Sequence, residues 1–241
     1  MLEKISKLQI VLLGLILGLS IMFSSLSISG KLSKNEITVT GAASEIVKSD
    51  NAKWSINYRV EAVTRSEAYS KLAKTTPVIK KFLTDNSIKE SEIEFGNVNS
   101  YPTYKTSPTG TITQDIKDYI YEQSIFVRSD DVELVKKLQI ESQGLVNKGV
   151  YITSSYVDYY YSKLPDKKAE LLAKATLDAK DRASGMLKAT NNRVGKMRSV
   201  KMGVFQITQP ESNDVSDWGI NDTSTIDKKI TAVANVVFGI R

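Results

Sequence analysis

Two spacings of apolar side chains alternate along this chain, and the places where one gives way to the other mark its elements. The first segment shows neither. Residues 8–30 carry no charge, and residues 10–23 are almost wholly apolar. Such a run cannot lie as a surface helix in water, and its 23 residues are enough to span a bilayer. The folded part begins at residues 36–44 with a β-branched strand ending at Gly41. Trp54, Ile56, Tyr58, Val60 and Ala62 then alternate with Ser55, Asn57, Arg59 and Glu61, which predicts a strand with one buried and one wet face. Helical spacing takes over in residues 66–84 through Ala68, Leu72, Val78, Ile79 and Phe82, with Ser66 as the cap and Asn86 at the end. Residues 93–97 and 101–104 predict strand again, and Pro108, Thr109 and Gly110 the turn of a long hairpin. A strand over 119–127, a helix over 129–144 opened by Ser129 or Asp130, and a strand over 150–161 repeat the earlier order. Two β-α-β units of one kind are therefore expected.

The longest run of helix-forming residues is 164–190, with Asp166 placed to cap it. Glu170 with Lys174 and Asp178 with Arg182 are i,i+4 pairs in the favourable order. Leu172, Ala175, Ala179, Ala183 and Leu187 form one narrow stripe that is mostly alanine. Alanine buries little area but lets a helix axis come close to a flat partner, so this helix is expected to lie on strands. Asn191 and Asn192 can take the left-handed geometry of its end. Residues 194–207 and 229–240 read as two final strands around a polar loop, 209–227. The pattern predicts an α+β domain over 36–241, a largely antiparallel sheet with helices packed on one side, after an N-terminal transmembrane helix within residues 1–30.

Composition narrows the chemistry. The chain has no cysteine and no histidine, so thiol nucleophiles, disulfides, lipoprotein anchoring, the usual zinc ligands and imidazole acid–base chemistry are excluded within it. Charged residues at 25% and hydrophobic residues at 41% are ordinary for a folded protein. Lys4, Lys7, Lys31 and Lys34 against Glu3 account for half of the net charge of +6, which leaves the folded part mildly basic and without an arginine-rich, aromatic-laced patch for nucleic acid. Retention of residues 8–30 as an anchor is expected, with cleavage after Ser27 or Ser29 as the alternative. Lysines flank the run almost equally, so the positive-inside rule favours an N-in orientation only slightly. Gly14 and Gly18 make a single G-x-x-x-G.

Three features together carry a resemblance: Ile37-Thr38-Val39-Thr40-Gly41, the Ser49-Asp50-x-Ala52-x-Trp54 leading into the second strand, and the spaced Ala169, Ala173, Ala179 and Ala183 of the long helix. In order and separation they resemble the SIMPL-domain (YggE-like) family from about Ile37 onward. That resemblance implies a bacterial envelope protein, exported or anchored, with a mixed α/β fold. It also implies ring-like oligomers in some members and a loose association with envelope integrity and stress tolerance. No catalytic residues carry over. Where many members have an acidic residue and a Pro-Asp, this chain has Gly41-Ala42-Ala43 and Ser49-Asp50, a departure that suits a membrane-anchored subgroup.

Nine of the eleven tyrosines lie between Tyr101 and Tyr161. Tyrosine joins an apolar ring to a polar tip, so strands rich in it suit an interface or a sugar-like ligand as well as ordinary cross-strand packing. Tyr119, Tyr121, Tyr156, Tyr159, Tyr160 and Tyr161, with Trp218 in the loop, are the candidate interface residues. Glu211, Asp214, Asp217, Asp222 and Asp227 surround Trp218 and Gly219, but their spacing does not fit a calcium loop, and no metal or cofactor is expected. Arg193, Lys196, Arg198 and Lys201 are the densest basic run, a wet strand face or one turned to anionic lipid. No G-x-S-x-G, P-loop or S-x-x-K pattern appears in its required setting. The expectation is a non-enzymatic envelope protein, anchored in the inner membrane through residues 8–30 with its domain in the periplasm or outside the cell. If the segment is cleaved, the protein is instead secreted or periplasmic. It would act as a homo-oligomer or by binding another envelope protein, without nucleic acid. The rival is an exported hydrolase or small-molecule-binding protein with a site of Tyr, Asp and Ser.

Overall fold

The computed structural model describes residues 12–22 and 35–241. Residues 12–22 form a helix, α1, with exposed side chains. The remainder of the apolar run over 8–30 lies outside the described residues, and no described helix is long and apolar enough to cross a membrane. The chain divides into two compact units. A large unit comprises Ser44–Leu171 and Val204–Ala232; a small unit comprises Met1–Ala43, Leu172–Gly203 and Val233–Arg241. Three elements, β1 (Glu36–Lys48), α4 (Leu164–Lys188) and β9 (Asp227–Ile240), run through both.

The large unit is built on β2 (Asn51–Ala62), α2 (Arg65–Asp85), β3 (Ile93–Thr106), β4 (Ile112–Ser129), α3 (Val132–Glu141) and β5 (Tyr151–Tyr160). Their sheet order is β3-β4-β2-β5 and every neighbouring pair is antiparallel. A β-α-β-β-α-β run in that order is the split β-α-β, or ferredoxin-like, arrangement, in which each unit's two strands are separated by one strand of the other. Strand alternation puts Trp54, Ile56 and Tyr58 of β2 on the same side as Ile125 and Val127 of β4. Leu72, Ile79 and Leu83 of α2 and Val135 and Leu138 of α3 complete the core there. Tyr58 buries its ring and donates its hydroxyl to Gln123 Oε1 at 2.6 Å, with Thr76 Oγ1 also at 2.6 Å. Trp54 Nε1 donates to Ser155 Oγ at 2.9 Å. Both polar tips thus enter the core with partners.

The small unit depends on side chains that are missing. Residues 36–43 of β1 lie so close to α4 that a Cβ on Gly41 would stand 2.1 Å from Ala175 O and 2.4 Å from Ala179 N, both backbone atoms. Ala175, Ala179 and Ala183 are fully buried, with Leu187, Val39, Ala234, Val236 and Phe238. Asp178 fastens the pair: its carboxylate accepts the Ala42 N–H at 2.9 Å and the Arg182 guanidinium at 2.8 Å. On β9, residues 234–240 pair antiparallel with β6 (Val194–Met202). The α4 helix ends as expected, with Asn191 left-handed at φ 58°.

Several expectations give way. There are two mostly antiparallel sheets rather than one, because β2 to β5 pair only among themselves, and 194–207 is not a continuous strand. Gly203 closes against Val233, donating its N–H to Val233 O at 2.8 Å, and β6 gives way there to a separate β7 (Gln206–Thr208). The second sheet runs β1-β9-β7-β8, with β8 (Ile220–Asn221) parallel to β7 and β6 also on β9. Gly41 does not end β1, because its missing side chain serves the helix contact and not a turn. The caps are not the residues proposed for them: Thr64, two before Ser66, accepts from Glu67 N–H, Asp131, one after Asp130, accepts from Leu134 N–H, and Asp166 lies within the first turn of α4. The helix they cap second is correspondingly shorter and passes into a 3-10 segment, Ser142–Lys148. On the described stripe of α4, Leu171 is buried fully and Leu172 only in part.

Candidate functional site

The face of the large unit's sheet turned away from α2 and α3 holds a lattice of polar and aromatic side chains in register. Asn57 at its centre donates from Nδ2 to Ser154 Oγ of β5 at 2.7 Å and accepts from Ser124 Oγ of β4. One rung along, the Arg59 guanidinium lies 4.9 Å from the Tyr151 ring centre, and the Tyr101 hydroxyl donates to Glu122 Oε1 at 2.9 Å. On the other side of Asn57, Lys53 lies 5.3 Å from the Phe126 ring, and Arg128 pairs with Glu94 at 2.9 Å. These contacts follow from alternation: the odd-numbered positions 53–59 of β2 share a face, and the cross-strand registers bring Ser124, Phe126, Tyr151 and Tyr156 beside them. The hydrogen bond to the Glu122 carboxylate, with some burial, holds the Tyr101 phenol proton on, above its ordinary value.

The seven candidate interface residues do not share one surface. Tyr156 and Tyr160 lie on this open face, Tyr156 half exposed at 51%. Tyr159 faces the opposite way, into the core at 5% exposure, and burial raises its pKa. Tyr119 and Tyr121 pair across from Ala62 and Val60 on the helix side. There the Tyr119 ring meets Arg65 at 5.0 Å, and Tyr121 meets Tyr69 edge to face at 6.1 Å. Tyr161 lies in the turn before α4, where its carbonyl accepts from Leu164. Trp218 stands in the loop at 95% exposure. Tyr101, Phe126 and Tyr151 belong to the open face and were missed. Counting residues in twos within β5 would have sorted Tyr156 and Tyr160 from Tyr159, but placing Tyr101 needed the register across β4.

Two clefts flank β5, the edge strand. One of about 530 Å³ lies between β5 and the α3 end, lined by Gln139, Ile140, Val146, Tyr151 and Ser154 among others. The other, about 580 Å³, is bounded by Ile140, Tyr156, Tyr159, Pro210 and Thr225. Segment 222–226 covers part of this edge: Tyr159 N–H donates to Thr223 O, and Thr223 Oγ1 to Asp158 Oδ1. In the acidic loop, Asp222 is used locally. Burial would raise its carboxyl, but hydrogen bonds from Ser224 and Thr225, with the Lys228 charge, hold it below the usual range. Lys228 is itself buried, which pulls its pKa down, and it donates to Asp222 O at 2.6 Å. Among the described residues no three acidic groups come together as a metal site.

The fold and this face define an α+β protein of split β-α-β type whose open sheet carries partnered polar groups between exposed rings. Residues 37–238 match the SIMPL family, described as a protein of unknown function (DUF541), and the chain belongs to that family. No curated protein matches it.

Proposed function

We propose that this is a non-enzymatic cell-envelope protein of a membrane-anchored SIMPL subgroup. It is held through residues 8–30 with its domain outside the cytoplasm, and it acts by self-assembly or by binding another envelope component. The observation that carries the reading is the open sheet face, where Tyr101, Tyr151, Tyr156 and Tyr160 stay exposed beside a row, Ser154–Asn57–Ser124, whose polar atoms already bond one another. Rings that are rigid and half wet lose little entropy on being covered, and a self-satisfied polar row presents no unpaired group to desolvate. Against a hydrolase, the Glu133, Asp178 and Asp222 carboxyls are displaced downward, away from a general acid.

The test is sedimentation of the full chain in mild detergent, wild type beside Tyr156→Asp and Tyr101→Asp. A homo-oligomer that dissociates in both variants while their circular dichroism is unchanged is the expected result. A wild-type monomer at every concentration that also captures no envelope protein through this face would sink the proposal. Intact mass of the membrane-extracted protein separates a retained anchor from a cleaved signal.

A further inference from the structure

The two units differ in charge in a way the whole-chain total hides. Residues 35–43, 172–203 and 233–241 of the small unit hold nine basic side chains against Glu36, Asp178 and Asp181, whereas the large unit is acidic by three. The small unit's cations gather at one end. Asn35, where β1 begins, accepts the Ile240 N–H at 2.8 Å, and Arg241 and Arg193 exchange backbone hydrogen bonds at 2.7 and 2.9 Å. The start of β1, the end of β9 and the start of β6 therefore meet there. Lys196 and Arg198 follow on β6, with the Arg198 guanidinium alongside Gly239. Lys188 closes α4 beside Asn191, Asn192 and Arg193, around a cleft of about 430 Å³. All five cations are exposed, and Glu36 is the acidic residue at this end. Met197, between Lys196 and Arg198, and Val200, beyond Arg198, are both exposed on a strand whose only pairing among the described residues is with β9.

We infer that this end of the small unit, Lys188, Arg193, Lys196, Arg198 and Arg241, docks on an anionic phospholipid surface. The inference rests on the anchor reading above and deepens it. The apolar run stops at residue 30 and β1 starts at Glu36, so the five residue steps from 30 to Asn35 reach at most about 17 Å. A bilayer holding residues 8–30 therefore lies within that distance of Asn35, and it is the cationic end of the unit, not another, that the tether brings there. Cations near an anionic surface are drawn to it, an attraction that falls off within a Debye length of about 10 Å at 0.1 M salt. Exposed methionine and valine among the cations suit the headgroup boundary, where apolar and cationic groups are both accommodated.

The experiment uses the full chain with Ser199→Cys, the single thiol it would then contain, labelled with an environment-sensitive dye and reconstituted into vesicles. Dye quenching by a headgroup-quencher lipid is measured with phosphatidylcholine alone and with added phosphatidylglycerol. Quenching at least threefold stronger with phosphatidylglycerol, abolished by high salt and by Lys196→Glu with Arg198→Glu, is expected. The matched pair Lys74→Glu with Lys105→Glu should leave it unchanged. Equal quenching in both vesicles, or quenching insensitive to the Lys196/Arg198 reversal, overturns docking. Alkaline extraction is scored separately: release of the chain from the vesicles overturns the anchor, and docking is then supported only if the phosphatidylglycerol dependence at neutral pH persists.

Discussion

The large unit is held by what fills it and the small unit by what is left out. In the first, Trp54, Tyr58, Ile79, Leu83 and Leu138 close the space between a four-stranded sheet and two helices. In the second, Gly41 and three alanines let a helix rest almost on the backbone of a strand. A core of large side chains fails when volume is removed, because the surrounding structure collapses only in part. A contact made at backbone distance fails when volume is added, because peptide groups cannot turn aside as a rotamer can. The two halves of one domain therefore have opposite sensitivities.

Substitutions can break or sharpen that contrast. Trp54→Ala should cost about 4 kcal/mol, read as faster hydrogen exchange in β2, β4 and α3, with the exchange of residues 172–188 tracking only the global loss. Adding a single methyl with Gly41→Ala should cost about 3 kcal/mol. Ala179→Gly should not rescue it, since it removes the Ala179 Cβ at 2.8 Å but leaves the closer backbone atoms, Ala175 O and Ala179 N, in place. Rescue would mean that the strand and helix can separate freely, against the reading of the small unit. Tyr58→Phe keeps the ring and removes the hydroxyl's bonds to Gln123 and Thr76, which still bond each other, for a loss of about 1 kcal/mol in chemical unfolding. In the opposite direction, Ser49 Oγ is buried without a partner, so Ser49→Ala should stabilise by about 1 kcal/mol.

The smallest effect is one of pH. The Ala42 N–H, and after it Arg182, hold the Asp178 carboxyl below its ordinary value. Its contribution to stability is therefore complete above the unfolded carboxylate pKa of about 4 and is lost as pH falls through the lowered native value. Asp178→Asn should flatten that acid limb in residues 36–42 and 172–188 while leaving it intact in β2–β5. An unchanged limb would remove Asp178 from the account of how β1 is fastened.

Much of this fold was legible in the residues themselves. The alanine stripe of α4 announced a close partner, Asn191 announced a left-handed end, and the two strand–helix–strand repeats announced two β-α-β units, though not that their strands interleave in one sheet. What could not be read was whatever depended on a distant segment. Gly41 looked like a stop because its reason, the helix at Ala175 and Ala179, lies more than a hundred residues away. The break at Gly203 depends on Val233 in the same way. The tyrosines looked like one group because they are dense in sequence, whereas the parity of β5 sends Tyr159 inward and Tyr156 outward. Likewise the basic run from Arg193 could be seen at once, but its company with Arg241 and Asn35 required the strands to be paired.

That last pairing sets an order of events. Residues 36–40 find their neighbour strand only at 235–240, so β1 waits for a strand made nearly two hundred residues later while the segments between them can already be folding. Closure across nearly two hundred residues is slow and leaves a β-branched edge open in the meantime. A nascent chain of this protein is consequently vulnerable to sticking to its neighbours at β1, and it stays so until residues 235–240 have been made.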